Sequence, residues 1–327
     1  MNNKKQNIVT IGGGSGQSVL LSGLRDLEGI DITAIVSMTD NGGSTGRLRS
    51  ELGVLPPGDI LKCLIALSPH RDSAEKILLE RFQTDGRLYG HNAGNLLLAM
   101  LSKYAAGFPE VIEAFSEILD IRGTILPVSL DHAVLVAELT DRTRIYGENV
   151  INKPQNSTRE KIEDIFLVPQ HGDAISVYPP VIKAINRADY IIIGPGDMFT
   201  SIIPNLIVPG VKEALNKTNA IILYIMNIMT TFGETHHFTA YDFVKKLEEF
   251  LGKTMDGIIY NTKKPNKEIL KQYLQRKSVF VEIDQKDKKW NKYKIYASNI
   301  LEAREGIVKH NSNKLSLVIR DIISTSL

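Results

Sequence analysis

Two glycine-rich segments, each shortly after an apolar run, are the clearest candidates for chemistry in this sequence. Residues 12–16 follow the apolar run 8–11, and residues 41–46 follow the run 32–37. Because glycine has no Cβ, backbone N–H groups in such loops approach phosphate oxygens closely, and a following helix adds its positive N-terminal end. We therefore expect a phosphorylated ligand here, in preference to tight turns that bind nothing.

Neither of two familiar nucleotide-binding fingerprints is present. In the dinucleotide pattern G-x-G-x-x-G, counted from Gly12 or Gly14, the third glycine is replaced by Gln17 or Val19. The Walker pattern also fails, because no Gly-Lys-Ser/Thr sequence follows either cluster. The loops predict a phosphorylated ligand but do not identify which one. An enzyme that binds a nicotinamide dinucleotide is a weaker alternative for the function of this site.

Polar residues also follow the apolar runs later in the chain. The run 190–193 is followed by Gly-Pro-Gly at residues 194–196, and the run 220–226 is followed by Asn227. In an open parallel sheet, ligands bind outside the carboxyl ends of the strands. If these runs are parallel strands, all of the loops converge on one ligand site.

Two carboxylates and an amide-rich segment extend this set. Asp40 follows the second strand, and Asp59 stands at the start of a predicted helix. Asp59 can cap its own helix, or both carboxylates can hold Mg²⁺ against ligand phosphates. The segment His-Asn-Ala-Gly-Asn at residues 91–95 either caps the helix that follows or contacts the ligand.

No catalytic residue is predicted. His236 and His237 are adjacent, a spacing that does not suit metal ligation on one face of a helix or strand. Cys63 is the single cysteine and lies in the apolar run 60–67, so it is expected to fill the core. The residues thus predict a phosphate-binding site at the ends of the strands, with no catalytic residue identified.

Short β-branched runs alternate with amphipathic segments along most of the chain. Strands are predicted at residues 8–11, 32–37, 190–193, 220–226 and 257–260, and helices at 18–27, 59–67, 73–82, 95–104, 109–119, 180–186, 201–216, 241–251, 267–276 and 314–323. This alternation indicates an α/β fold, a three-layer, Rossmann-like, mostly parallel sheet with helices on both faces. A hairpin at residues 134–146 marks 123–151 as a small antiparallel or helical appendage to a single domain, residues 1–327.

Composition narrows the class of protein. With 43% hydrophobic and 23% charged residues the chain is globular, and a net charge of +2 gives no case for nucleic-acid binding. No run approaches the ~18 apolar residues of a membrane span. The first residues lack the apolar stretch of a signal peptide, so we expect a cytoplasmic location.

Several segments together resemble the CofD-like family, in particular its gluconeogenesis-factor branch. They are IGGGSG at 11–16, MTDNGGSTGRLR at 38–49, PPGD at 56–59, HNAGN at 91–95, GPG at 194–196, TSIIPNL at 200–206, NIMT at 227–230 and GET at 233–235. The resemblance covers nearly the whole chain. It implies a UDP-sugar ligand, especially UDP-N-acetylglucosamine, and a Mg²⁺ cofactor held by Asp40 and Asp59.

The same resemblance implies a biological role. The gluconeogenesis-factor branch is needed for normal cell shape and for growth on gluconeogenic carbon sources, which implies protein partners in the control of cell-wall precursors. The enzymatic branch of the family, 2-phospho-L-lactate transferase, uses a nucleotide-activated donor and Mg²⁺. A transferase of this type is therefore the alternative function. The oligomeric state stays open, with a homo-oligomer among the alternatives.

The residues that the resemblance implies to be ligand-binding lie in the loops already described and near the C-terminus. They are Gly12, Gly13, Gly14, Ser15, Gly16, Asn41, Gly42, Asn92, Asn95, Gly194, Pro195, Gly196, Thr200, Asn227 and Lys309. Asp197 departs from the family pattern, which has serine there, and its charge would repel a phosphate unless a cation intervenes or the side chain points away. Lys309 replaces an arginine and lacks its two-pronged grip on phosphate.

Overall fold

The computed structural model describes residues 5–83, 85–154, 158–170 and 174–325. The strands in these residues are β1 Gln6–Gly12, β2 Ile30–Val36, β3 Thr124–Pro127, β4 Ala133–Leu139, β5 Arg144–Tyr146, β6 Ile162–Pro169, β7 Tyr190–Ile193, β8 Ile221–Ile225, β9 Gly257–Asn261, β10 Lys294–Ser298, β11 Leu301–Arg304 and β12 Ile307–His310. Seven of them form one sheet in the order β10-β9-β8-β7-β1-β2-β3, with every neighbouring pair parallel.

Helices connect and cover these strands. They are α1 Gly14–Leu24, α2 Gly43–Leu52, α3 Pro57–Leu67, α4 Arg71–Leu78, α5 Ala93–Tyr104, α6 Phe108–Ile118, α7 Glu148–Asn152, α8 Pro179–Arg187, α9 Ile203–Leu206, α10 Val211–Lys217, α11 Ala240–Leu251, α12 Lys267–Gln275 and α13 Ser312–Thr325. A π-helical turn at Met198–Ile202 and a 3₁₀ turn at Lys288–Trp290 complete the set. In the residues described, no helix has both the length and the apolar character to cross a membrane.

The order of the strands creates a crevice at one point of the sheet. β1 pairs with β2 on one side and with β7 on the other, so the chain leaves β1 in one direction and β7 in the opposite direction. All four residues of β7 are buried, as expected for a parallel strand covered on both faces. Because ligands bind where the direction reverses, the carboxyl ends of β1 and β7 are the expected site.

Helices cover the sheet in two packed groups. α1 packs against α3 and α13, whereas α10 packs against α8 and α11. Since β1→β2 and β7→β8 run in opposite directions along the sheet, right-handed connections place α1 and α10 on opposite faces. The three-layer α/β fold expected from the sequence is confirmed, and the main sheet is parallel throughout.

Several local expectations differ from the structure. Strand β3 belongs to the edge of the main sheet, although the sequence places residues 123–151 in an appendage. The antiparallel sheet has the order β5-β4-β6, so it extends to Pro169. The expected helix 201–216 is divided between α9 and α10, which Gly210 with φ +100° separates. The division into one domain with an appendage stays a prediction.

A glycine sets the distance between the first and last helices. A Cβ built on Gly23 of α1 would lie 2.3 Å from the carbonyl oxygen of Ser312, at the start of α13. Leu315 and Ile319 of α13 are fully buried. This contact fixes α13, and with it the end of β12 that reaches the ligand site.

We expect Gly23→Ala to lower the free energy of unfolding by about 1–3 kcal/mol, because the added methyl group forces α1 and α13 apart. Ser18→Ala in the same helix is the control, since alanine favours helix and Ser18 makes no side-chain hydrogen bond to lose. Urea unfolding followed by circular dichroism compares both variants with the parent protein. A Gly23→Ala midpoint equal to that of the parent would contradict the close contact.

Candidate functional site

A cavity of about 860 Å³ opens at the carboxyl ends of the central strands. Its volume is in the range of pockets that hold small organic ligands. Most residues expected from the sequence to form the site line it, namely Gly13, Gly14, Ser15, Gly16, Asp40, Gly42, Asp59, Asn92, Asn95, Pro195, Gly196, Thr200, Asn227 and Lys309. The loops after separate strands therefore do converge on one space.

Three expected ligand residues lie outside the cavity wall. The carbonyl oxygen of Gly12 accepts from Asn205 Nδ2 at 3.0 Å, and Asn41 Oδ1 accepts from the Asn149 N–H at 2.9 Å. Gly194 has φ +78° and donates its N–H to the Ile11 carbonyl oxygen at 2.9 Å. These residues hold neighbouring segments in position, and none of them lines the cavity.

The loops after β1 and β7 touch through their backbones. A Cβ on Gly16 would lie 2.2 Å from the carbonyl oxygen of Pro195, so only glycine fits there. Asn227 fixes the second loop from the other side, because its Nδ2 donates to the Gly196 carbonyl oxygen at 2.8 Å while its Oδ1 accepts from Tyr224 at 3.1 Å. Gly16 and Asn227 thus shape the cavity by packing and hydrogen bonding.

Two helices begin at the cavity without a capping side chain. The N-cap residues of α1 and α2 are Gly13 and Gly42, and neither has a side chain that accepts from the first turn. The first N–H groups of a helix have no acceptor within that helix. In α1 these include Ser15 and Gly16, which line the cavity. Both helices therefore direct N–H groups and positive dipole ends towards the same space.

Asp59 caps a helix other than its own. Its own helix, α3, begins after Pro56 without a side-chain cap, whereas Asp59 Oδ2 accepts from the Gly14 N–H of α1 at 2.7 Å. The second oxygen, Oδ1, accepts from Lys62 Nζ at 2.8 Å. Asp59 raises the pKa of Lys62, which lines the cavity. Lys62 is not among the site residues predicted from the sequence. Its spacing of three from Asp59 on a helix is the signal that could have found it.

Asp40 and Asp59 are close enough to interact electrostatically. Burial, and then the charge of Asp59, raises the pKa of Asp40, whose Oδ1 accepts from the Gly42 N–H at 2.9 Å. Mg²⁺ is often held by only one or two carboxylates together with waters and ligand phosphates. The pair fits that requirement, although Lys62 already neutralises part of its charge. Within the described ranges, no group of three or more His, Cys, Asp or Glu side chains could hold a metal.

A second acidic network lies at the β7 side of the cavity. Asn152 Nδ2 is 3.0 Å from Asp197 Oδ2, 3.0 Å from Glu234 Oε1 and 3.2 Å from Thr200 Oγ1. Asp197 Oδ1 accepts from Thr231 Oγ1 at 3.0 Å. Asp197 therefore lines the cavity while both of its oxygens accept from uncharged groups. No sequence pattern predicts Asn152 as a site residue, because nothing distinguishes this asparagine, just beyond the predicted appendage, from a surface residue.

Two carboxyl groups in this region have raised pKa values. Burial, and then the charge of Asp197, raises the pKa of Glu234 to about 8. Burial, and then Asp40, Asp59 and Asp197, raises the pKa of Glu148 to about 8. Glu148 lines the cavity from the first turn of α7. Burial and three neighbouring carboxylates along one wall therefore favour the protonated form of Glu148.

A buried serine and histidine form a pair behind the first turn of α2. Ser44 Oγ is 2.8 Å from His91 Nδ1, and Asn95 Nδ2 donates to Ser44 Oγ at 3.3 Å. Burial lowers the pKa of His91, which favours its neutral form. Ser44 and Asn95 line the cavity, and Asn92 both lines it and caps α5 by accepting from the Asn95 N–H. Capping and cavity contact, left as alternatives by the sequence, therefore coincide at Asn92.

We expect Glu148→Gln to reduce the loss of stability in alkaline solution. A carboxyl group whose pKa rises from 4.5 to about 8 on folding stabilises the protein fully below its unfolded pKa and loses that contribution as the pH rises through 8. Between pH 6 and pH 9 the parent protein should lose more free energy of unfolding than the variant, by on the order of 1–2 kcal/mol. Urea unfolding at each pH measures this.

The matched control is Glu163→Gln, because Glu163 is exposed on β6 and does not line the cavity. Its profile should follow that of the parent protein. Parallel profiles for Glu148→Gln and the parent would contradict a protonated Glu148.

Comparisons with known proteins agree over nearly the whole chain. The family of 2-phospho-L-lactate transferase CofD matches residues 8–301. A Thermotoga maritima protein of the gluconeogenesis-factor group is 41% identical over 319 residues, which cover 96% of this chain and 98% of that protein. The gluconeogenesis factor of Bacillus subtilis is 38% identical over 321 residues, which cover 98% of this chain and 99% of that protein.

The fold agrees with a solved structure as well. A crystal structure of a protein from Bacillus halodurans superposes with a TM-score of 0.89 at 36% identity, and the match covers 97% of this chain and 100% of that one.

Proposed function

The chain belongs to the family of 2-phospho-L-lactate transferase CofD and, within it, to the gluconeogenesis factors, and we propose that it is a cytoplasmic regulatory protein. In this proposal the protein binds a UDP-sugar, foremost UDP-N-acetylglucosamine. Ligand binding adjusts the supply of cell-wall precursors through protein partners. Cell shape and growth on gluconeogenic carbon sources depend on this regulation.

The observation that carries this proposal is a pair of helices, α1 and α2, that begin at one polar cavity with glycine as the N-cap residue. A diphosphate presents several anionic oxygens, and two helix N-termini offer N–H groups to different phosphates. The side chains of Lys62, Arg81, Lys153, Arg276 and Lys309 add positive charge around the same cavity. The amides and hydroxyls elsewhere in the wall suit the sugar and the nucleoside.

Asp40 and Asp59 are the residues that would hold Mg²⁺ in this proposal. The cation would supply positive charge to the phosphates beside the N-terminus of α1. Asp59 already keeps the Gly14 N–H and the Lys62 ammonium in position. This chain therefore supports a diphosphate through backbone and lysine donors in addition to any cation.

A transferase of the phospholactate type is the second candidate, and the Ser44–His91 pair favours it. A neutral histidine 2.8 Å from a hydroxyl can take up a proton from it, which is the role of a general base. Ser44 lies at the N-terminus of α2, where phosphate is expected. The first candidate stands ahead because the relatives of this chain are named gluconeogenesis factors.

We expect Gly14→Val to weaken UDP-sugar binding at least about tenfold, because its side chain would enter the space where the phosphate meets α1. Gly14 has φ +63°, so the variant is also strained. Gly29→Val is the matched control, since Gly29 has φ +77°, has no atom within 4 Å of its Cβ position and lies outside the cavity. Calorimetry on both folded variants separates strain from ligand contact. Equal weakening in the two would remove the first loop from the binding site.

The function itself is tested by calorimetry against UDP-N-acetylglucosamine, UDP-glucose, GDP and NAD, each with and without Mg²⁺. We expect saturable binding of the UDP-sugars, with weaker binding of GDP and NAD. Absence of UDP-sugar binding in every condition would refute the proposal.

Mass spectrometry after long incubation with Mg²⁺ then examines the ligand. We expect intact UDP-N-acetylglucosamine, because a regulatory protein binds its ligand without converting it. Release of UDP or UMP at catalytic rates, lost in His91→Gln, would make the chain an enzyme and favour the second candidate.

A further inference from the structure

One wall of the cavity combines four carboxyl groups, here called the acidic wall, namely Asp40, Asp59, Glu148 and Asp197. Burial, and then the charges of the other three, raise the pKa of Glu148, so all three lie within electrostatic range of Glu148. Only Asp59 forms an ion pair within the described part of the chain, with Lys62. The charge of Lys62 also acts on Asp40 and Glu148, although neither forms an ion pair with it.

Asp197 is held in the wall by uncharged hydrogen-bond donors. Its oxygens accept from Thr231 Oγ1 and Asn152 Nδ2, both at 3.0 Å, and both donors are neutral. Behind it lies Glu234, which is 3% exposed and whose proton reflects burial and the nearby charge of Asp197. Asp197 follows the Gly-Pro-Gly loop, in which the Pro195 carbonyl oxygen contacts Gly16 of α1.

A separate feature of the cavity also requires a hydrogen-bond donor from the ligand. Asn95 lines the cavity, is only 4% exposed, and its Oδ1 has no hydrogen-bond partner in the protein. A buried acceptor without a donor is unfavourable, so the site is completed when a ligand donates to it. Asn95 lies on α5, whereas Asp197 follows β7. Two independent parts of the wall thus present acceptors.

We propose that the sugar attached to the diphosphate is uncharged, and that Asp197 enforces this selection; the inference rests on the proposed UDP-sugar binding. Sugar hydroxyls donate hydrogen bonds to carboxylate and amide oxygens. A ligand carboxylate is an acceptor only, so it cannot donate to this wall, and its charge is repelled by Asp197. The selection excludes uronic-acid sugars, and it equally excludes a phospholactyl group, which carries a carboxylate.

In this proposal the diphosphate tolerates the nearby carboxylates because positive groups offset their charge. These groups are the N-termini of α1 and α2 and the Lys62 ammonium, which Asp59 holds at 2.8 Å. Asp197 then acts on the part of the ligand that extends beyond the phosphates.

UDP-glucose and UDP-glucuronate test the inference, because they differ only in a hydroxymethyl group against a carboxylate at the sugar's C6. In calorimetry at pH 7.5, we expect UDP-glucuronate to bind at least about tenfold more weakly than UDP-glucose. In Asp197→Asn, this ratio should fall to about threefold or less, since the shape is kept and the charge is removed. Asp141→Asn is the control, because Asp141 is an exposed turn residue that accepts from Thr143 as asparagine also can.

A second measurement needs no variant, should Asp197→Asn fail to fold. The ratio of the two affinities in the parent protein should shrink between 50 and 500 mM salt, because salt screens repulsion between charges. Equal affinities, or a ratio that salt leaves unchanged, would overturn the inference while UDP-sugar binding stands. If neither UDP-sugar binds, the proposed function fails first.

Discussion

The backbone contact between Gly16 and Pro195 is the constraint on which the ligand cavity depends. The loops after β1 and β7 leave adjacent parallel strands, and they meet only because residue 16 has no side chain. The contact aligns the first turn of α1 with the Gly-Pro-Gly loop. It places N–H groups and Asp197 on neighbouring parts of one wall. A larger residue at position 16 would separate the two halves of the sheet at their ligand-binding end.

Electrostatics divide the cavity into parts with opposite preferences. Near α1 and α2, the helix N-termini and Lys62 offer positive charge. Asp59 connects α1 to Lys62, because it accepts hydrogen bonds from the Gly14 N–H and from the Lys62 ammonium. Farther along, Glu148 on the wall and Glu234 behind it have raised pKa values, because burial and neighbouring carboxylates disfavour their charged forms. A ligand that is anionic at one end and rich in hydroxyls at the other fits both parts. This is the chemistry of a nucleotide sugar.

Segments outside the parallel sheet complete the site. α7 follows the antiparallel hairpin and supplies Glu148 and Asn152. At the other end of the chain, α13 packs on Gly23, and β12 immediately before it carries Lys309 to the rim. The cavity is thus assembled from nearly the full length of the chain. That agrees with relatives that match this protein from end to end.

The sequence by itself determined the layered fold and the loops that line the cavity, because both leave local signals. Buried parallel strands require β-branched runs, and loops that approach a phosphate require glycine clusters. It did not predict α2, whose two glycines weaken the helical pattern, or the edge strand β10, whose residues are exposed or partly exposed. Tertiary structure alone decided that Asp59 caps α1, that Gly16 serves packing, and that Asn152 joins Asp197 to Glu234. Each of these depends on groups distant in the chain, and a local pattern carries no information about which distant group a side chain will meet.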